Sequence, residues 1–487
     1  MDNIEKLISE LKNNFNDEML LVVDFSAIVN IYSEEYINVV TDCIISKSIK
    51  VAVTKGFYEN YDVVIKSLND EQKNIAKKVK NLLSMLKENN RLLYASSVVS
   101  SDEIVSSLCK NNKVCFWYYY SSECAESMCI NSDILMCKAL IVNSDGIPEF
   151  FDSKNEIIFH SIPQIDTSVL GNEYFAISFS PQTGKNVKTR ENEIITLGAL
   201  LGQGGEGSVY ECDYRTGYVA KIYHKGQLNK LRLKKLLLME KKQIKYEGIC
   251  WPEKMIYSPE GEPIGYIMKK IKGKSLYTLF DSAESVVEAY PNWTRQSLVS
   301  LAIGVIENIQ YLHLFGILIG DLRLKNIIID ENNRPILVDI DSCQVDTLPC
   351  PAGFEDYTPP ELQGIEFKEK LRKYENESFS CMVLLFKLLF CGMHPCNQKN
   401  GADTIEEEIR NMAFPYIPDS DDDSKIPWGG YDKMWMSMPH QMQILFYNTF
   451  SKGKRYTLNE ILLMLKTYNV FLDMKKDEIP SSNIILN

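Results

Sequence analysis

Residues 202 to 209 read Gly202-Gln203-Gly204-Gly205-Glu206-Gly207-Ser208-Val209, and Val219-Ala220-Lys221 follows at the distance a β-hairpin needs. Glycine lets the main chain approach an anion without interference from Cβ, and a lysine on the neighbouring strand neutralises anionic charge. The pattern predicts an antiparallel strand pair clamping nucleotide phosphates, lined by Gly202, Gly204, Gly205, Gly207, Val209, Ala220 and Lys221. The same glycine spacing opens the strand-to-helix turn of dinucleotide-binding folds, so this loop alone leaves two architectures open.

Further along, Tyr311-Leu312-His313 leads through Gly320 to Asp321-Leu322-Arg323-Leu324-Lys325-Asn326. Phosphoryl transfer needs a carboxylate to orient the attacking hydroxyl and a nearby amide oxygen to hold a second Mg²⁺. Asp321 and Asn326 fit those roles. Two apolar runs, Ile327-Ile328-Ile329 and Ile336-Leu337-Val338, then lead to Asp339-Ile340-Asp341. Asp339 is the metal-binding candidate; for a single aspartate closing a strand the alternative is a turn cap, but the order of all these motifs favours the metal.

From about Ile195 to about Leu472 the chain resembles the protein-kinase superfamily. Tyr266-Ile267-Met268-Lys269-Lys270-Ile271 is similar to a gatekeeper strand and hinge, which implies Met268 as gatekeeper and the Lys269 to Ile271 main chain facing adenine. Thr358-Pro359-Pro360-Glu361 resembles the element closing the activation segment, and Lys454-Arg455-Tyr456-Thr457 a later element whose arginine pairs with that glutamate. The resemblance therefore implies a buried Glu361–Arg455 ion pair. Gly204-Gly205-Glu206-Gly207, Ala220-Lys221-Ile222-Tyr223, Cys250-Trp251-Pro252, Ile319-Gly320-Asp321, Asp339-Ile340-Asp341-Ser342 and Gly392-Met393-His394-Pro395 resemble a prokaryotic Ser/Thr kinase-like branch. That branch is often fused to other modules such as helix-hairpin-helix domains, of which this chain carries no signature. The family implies an α+β bilobal kinase-like fold, ATP and Mg²⁺ as cofactors, and transfer to a Ser or Thr hydroxyl of a protein substrate that the sequence does not name. It also implies Lys221 and Arg323 acting with Asp321 in catalysis, and Asn326 and Asp339 on the metal.

Several positions depart from that family. Gly320 stands where an arginine usually clamps a phosphorylated activation segment, which argues against control by phosphorylation there. Arg323 replaces a lysine near the γ-phosphate and offers a fork instead of a point charge. Asp341 replaces a glycine and adds a candidate metal ligand, and Glu377 replaces the aspartate that anchors the catalytic-loop main chain. Between Lys221 and Glu247 the sole acidic residue is Glu240, so side-chain chemistry selects Glu240 as the partner of Lys221, although alignment by spacing puts Lys235 at that position. If no carboxylate reaches Lys221, the alternative reading is a pseudokinase, a nucleotide-sensing scaffold that regulates the N-terminal domain.

The first 150 residues alternate strand and helix patterns and predict a small α/β domain. Asp24-Phe25-Ser26-Ala27-Ile28 after an apolar strand, Glu59 after the next, and Ser101-Asp102-Glu103-Ile104 further on resemble a PIN-like nuclease fold. The resemblance implies Asp24, Glu59 and Asp102 as metal ligands, with Glu123 in place of the expected fourth carboxylate. A nuclease-derived fold without activity is the competing reading.

The organisation expected is 1–150 α/β PIN-like domain, 151–194 connector adding a strand to the kinase N-lobe, 195–472 kinase domain and 473–487 tail. A formal charge of −12, from 65 acidic and 53 basic residues, argues against a general nucleic-acid surface and leaves any such contact to the N-terminal domain. The basic run over 225–245 reads as a solvated helix face, and the acidic run at 419–423 as a surface loop. Thirteen cysteines without C-x-x-C pairing read as free thiols in a reducing compartment. No apolar start and no span of about 20 apolar residues predict a cytoplasmic protein that does not enter a membrane.

Overall fold

In the computed structural model, residues 3–31, 33–54, 57, 61, 65, 68, 70–95, 101–108, 113–119, 137–142, 146–151, 172–242, 244–280, 283–313, 315–345 and 348–474 are described. The chain divides into two compact units, Met1–Asp166 with Tyr311–Ile317, and Thr167–Gln310 with Leu318–Asn487.

The first unit is a six-stranded sheet of β1 (Met19–Val23), β2 (Lys50–Thr54), β3 (Leu92–Ala95), β4 (Lys113–Tyr119), β5 (Lys138–Val142) and β6 (Pro148–Phe151), in the order β3-β2-β1-β4-β5-β6. Every neighbouring pair runs parallel except β5 and β6. Parallel sheets are covered on both faces, which is why β1 is an unbroken run of buried Met and aliphatic residues instead of an alternating one. Helices α1 (Asn3–Asn14), α2 (Phe25–Asn30), α3 (Glu34–Ser46), α4 (Asp70–Glu88) and α5 (Ser101–Leu108) supply the cover and the crossovers. Leu7 and Leu11 at helical spacing on α1, with Phe15 just beyond, are buried, and Phe15 meets Phe150 edge to face at 5.8 Å. On one sheet face Leu20, Val22, Ala52, Val114, Phe116 and Ile141 pack with Ile104 and Val105 of α5.

The second unit begins with a closed barrel of six strands, β7 (Asn186–Thr189), β8 (Ile194–Gln203), β9 (Gly207–Cys212), β10 (Tyr218–Tyr223), β11 (Lys254–Tyr257) and β12 (Pro263–Lys269). Strand β7, from the expected connector, pairs antiparallel with both β8 and β11 and closes the barrel, as the sequence led us to expect. The chain ahead of it is tied down too: Phe175 N donates to Leu228 O at 2.9 Å, and Lys230 N to Glu173 O at 2.9 Å. Helix α6 (Lys230–Lys242) packs on the barrel; of the basic run, Lys225, Lys230 and Lys245 are exposed as their spacing suggested, but Arg232 and Lys235 are not. Arg232 and Lys235 are 8% and 1% exposed, because both reach acceptors near the 339–350 segment or the glycine loop. The acidic run at 421–423 is exposed.

Below the barrel lie α7 (Arg295–His313), a short hairpin of Ile327–Ile329 and Pro335–Leu337, and α8 (Tyr374–Leu389). From Cys381 to Leu389 every residue of α8 except Lys387 is buried. Phe386 sits in an aromatic cluster, stacked on Phe390 at 4.0 Å and edge to face with Phe414 and Phe446. This core gives the catalytic loop a rigid floor. All ten cysteines among the described residues are free thiols. Among the described residues no helix is long and apolar enough to cross a membrane.

Candidate functional site

Strands β8 and β9 carry the glycine loop between them. Gly204 N donates to Gly207 O at 2.9 Å, closing the turn. Gly207 is required by a close approach: a Cβ there would lie 2.6 Å from Ile222 O on β10. At Gly202 and Gly205 an added Cβ would meet nothing within 4 Å, and at Gly204 just the carbonyl of Gly207. The loop thus keeps open space along its main chain, which is what phosphate oxygens approaching its amides need.

Lys221 on β10 pairs across to Val209 on β9 and Tyr266 on β12. Successive residues of a strand face opposite ways. Ala220, fully buried, therefore points away from the face Lys221 uses, and Val219 is the residue that shares it. The expectation for Ala220 is corrected accordingly. Val219 pairs with Met268, which places Met268 at the inner end of the stretch running into Lys269, Lys270 and Ile271. Lys270 N donates to Gly217 O at 2.8 Å, and the Lys269 carbonyl accepts from the Cys250 thiol at 3.4 Å.

Lys221 does not pair with Glu240. Its Nζ lies 2.6 Å from Asp339 Oδ1 and 3.0 Å from Asp341 Oδ1. Glu240 instead accepts the Met255 amide at 3.1 Å and sits 4.0 Å from Lys254, so it serves the join between α6 and β11. Lys235, the alternative by spacing, donates Nζ hydrogens to the carbonyls of Ser342, Cys343 and Pro349 at 2.8, 3.2 and 3.1 Å. Burial pushes the Lys235 ammonium down, but three acceptors need all three of its N–H donors, and we read it as charged. Burial also opposes the charge on Lys221; Asp341 first, then Tyr223 and Asp339, more than offset it and raise the ammonium above its ordinary range. Asp341 is held well below the usual carboxylate range by Lys221 and Arg232 despite complete burial, whereas burial and the neighbouring Asp341 push Asp339 up.

Asp339 follows the hairpin in a left-handed conformation, φ 57° and ψ 40°, which an aspartate tolerates better than most residues. Its side chain is half exposed and makes no cap to the turn that follows. Asn326 is brought to the same place by the Val338 amide, which donates to Asn326 O at 2.9 Å. Its amide nitrogen donates to Asp321 O and Oδ2 at 2.9 and 3.1 Å, leaving its side-chain oxygen for other partners. Arg323 closes on Asp321 at 3.0 Å and stacks over Phe354 at 4.7 Å. Gly320 N donates to Glu377 Oε1 at 2.9 Å, so the longer carboxylate on α8 still anchors the loop, as the sequence predicted.

The glycine at 320 has a structural counterpart that sequence reading missed. With φ 70°, a Cβ there would lie 2.6 Å from Arg372 Nη1. The Arg372 guanidinium fills this space, donates to Cys350 O and Ala352 O at 3.0 and 2.7 Å, and stacks on Phe367. The Glu361–Arg455 pair forms at 2.8 Å, but Glu361 is 45% exposed, so it is a surface pair and not the buried one expected. A cavity of about 470 Å³ lined by Glu361, Phe379, Ile409, Met412, Phe450 and Arg455 lies beneath that pair.

In the first unit Asp24 caps α2, accepting the Ser26 amide at 2.8 Å. Glu59 and Glu123 fall outside the described residues, as does the Asp102 side chain. Among the described residues no three His, Cys, Asp or Glu side chains gather as a metal site. Asp339 and Asn326 suit Mg²⁺, which is commonly held by one or two protein groups plus phosphate oxygens and water.

A protein kinase domain model matches residues 195–462, over half of the 487-residue chain. A protein kinase YegI of Escherichia coli K12 is 29% identical over 253 residues, covering 49% of this chain and 39% of that protein. A kinase suppressor of Ras 2 of Homo sapiens is 28% identical over 149 residues, 30% of this chain and 15% of that protein. A dual serine/threonine and tyrosine protein kinase of Tetraodon nigroviridis is 25% identical over 160 residues, 31% of this chain and 16% of that protein. The chain spans about two fifths of the length of the YegI relative it matches.

Proposed function

The chain belongs to the protein kinase family, and from that premise we propose that it transfers the γ-phosphate of ATP to a Ser or Thr hydroxyl of a protein, with Mg²⁺. The observation that carries this reading is the gathering of Lys221, Asp339, Asn326 and Asp321: Lys221 pairs with Asp339, the amide of its neighbour Val338 holds Asn326, and Asn326 donates to Asp321. Bound ATP with Mg²⁺ supplies the phosphoryl group and neutralises the charge around it. Lys221 holds phosphate oxygens beneath the glycine loop, Asp339 and the Asn326 amide oxygen offer metal ligands, and Met268 to Ile271 border the adenine. Asp321 orients the incoming hydroxyl and accepts its proton. Arg323, now on Asp321, is within reach of the transferred group once a hydroxyl takes its place on the carboxylate.

A second reading has its own support. The helix position that usually answers Lys221 with a carboxylate carries Lys235, and Arg323 occupies Asp321. Both fit a nucleotide-sensing scaffold. For the first unit, the β3-β2-β1-β4-β5 parallel order and an aspartate at the end of β1 support the PIN-like reading, with Asp24 as one ligand. The domain limits expected from sequence are retained as part of the proposal.

Transfer from labelled ATP to the protein itself and to a generic protein substrate decides between the readings. Loss of about 10²–10⁴-fold in Asp321→Ala is expected for a kinase. ATP binding with no transfer in the wild type supports the scaffold.

A further inference from the structure

We infer that Asp341 is the positioning residue for Lys221, taking over the part that a glutamate on α6 would play, while α6 grips the same turn through Lys235. The inference rests on the nucleotide site proposed above and names how that site is held.

The two carboxylates on Lys221 are not equivalent. Asp339 has a side chain that is 50% exposed and faces the open side of the site, whereas the Asp341 side chain is 1% exposed. Both oxygens of Asp341 are engaged from β10: Oδ1 by Lys221 Nζ at 3.0 Å and Oδ2 by the Tyr223 hydroxyl. Lys221 and Tyr223 are two residues apart and share a strand face, so one carboxylate staples that face to the turn Ile340–Ser342. Arg232 adds positive charge behind Asp341, with its guanidinium 5.4 Å over the Tyr223 ring.

A metal at the site draws on Asp339. Asp341 would then remain the carboxylate on Lys221 beside the phosphate oxygens, a contact that the glycine found elsewhere in the family could not make, and a buried charge with fewer partners is costlier to hold. With Asp341 in place the lysine keeps its counter-ion and its aim. The charge pattern at α6 is inverted to match. Lys235 faces three main-chain carbonyls of the 342–349 stretch, where a carboxylate would be repelled. A chain of contacts thus joins α6 to Lys221 through Lys235, the main chain of Ser342 and Asp341.

The test is Mg·ATP affinity by calorimetry in the full chain, alongside thermal melting and phosphate transfer, for wild type, Asp341→Asn and Asp321→Asn. Asp341→Asn is expected to raise Kd for Mg·ATP by about tenfold or more, while Asp321→Asn keeps Kd within about twofold and loses transfer. Should Asp341→Asn not fold, Tyr223→Phe frees Oδ2 of Asp341 alone and is expected to raise Kd about threefold. Wild-type affinity in folded Asp341→Asn, or in Tyr223→Phe where that is the variant used, overturns the inference. A wild type that binds Mg·ATP without transferring phosphate overturns the kinase reading but not this one, provided Asp341→Asn still loses affinity.

Discussion

Asp24, after β1 in the first unit, and Asp339, just past the Pro335–Leu337 strand in the second, both close an apolar strand and are used differently. Asp24 after β1 folds its carboxylate onto the Ser26 amide and starts a helix. Asp339, just past the Pro335–Leu337 strand, takes a left-handed main chain, caps nothing, and meets a buried lysine from another strand. The local sequences look alike, and at Asp339 a buried ammonium arrives from a strand more than a hundred residues away. Asp24 accepts from its own turn and starts a helix, whereas Asp339 faces a lysine across the fold and lies beside Asn326 and Asp341.

The largest effect that would sharpen this contrast is on transfer. Asp339→Ala should lower phosphate transfer by about 10³-fold through loss of the metal ligand, while Asp24→Ala leaves it within about twofold, both read with labelled ATP. The second effect tests the second unit with acid. His394 is buried in the second unit, with Nε2–H to Asp356 O and Nδ1 accepting the Cys396 amide, and burial lowers it to about 3. A depressed histidine is neutral when folded, so the unfolded chain takes up the proton first below its ordinary value. Stability present above pH 6.5 is lost as pH falls from there towards 3. Between pH 7.5 and pH 5 this amounts to about 2 kcal/mol in urea melts, and His394→Gln should flatten that dependence. The first unit carries His160 and His313, so the component is assigned by its loss in His394→Gln.

A smaller effect tests Asp24 itself. As a cap, Asp24→Ala should cost about 1 kcal/mol in the melting of the first unit. Metal-dependent cleavage of a single-stranded nucleic acid that Asp24→Ala abolishes would break the comparison, since both aspartates would then be site residues. The smallest effect concerns Glu240. Glu240→Ala should leave KM for ATP within about twofold, because the carboxylate serves Met255 and Lys254 and not Lys221.

The glycine loop, Lys221, the Asp321–Asn326 loop and the Glu377 anchor were legible because each is a short motif with a local mechanism. The extra barrel strand was legible as well, since Asn186–Thr189 follows a turn-rich stretch and pairs with its sequence neighbour β8. The partner of Lys221 was not. It comes from a residue 120 positions away, and the helix held a single glutamate that side-chain chemistry favoured over the Lys235 that spacing selected. The clue was present in Asp339-Ile340-Asp341, where a second carboxylate stands two residues past the first and a helix full of lysines lacks any other answer. Arg372 was hidden for the same reason. Nothing in Leu371-Arg372-Lys373 announces that its guanidinium occupies the volume left by Gly320. Ala220 shows a third kind of error, where a motif name spread a role over two adjacent residues although a strand presents them to opposite faces.

The Arg372 contacts carry a consequence for how such a molecule is governed. A phosphate-reading arginine makes a segment conditional, set or unset by another enzyme. Arg372 donates to carbonyls of the main chain, which every newly made copy possesses. The order of this segment thus draws on groups present in the unmodified chain, with no added phosphate among them.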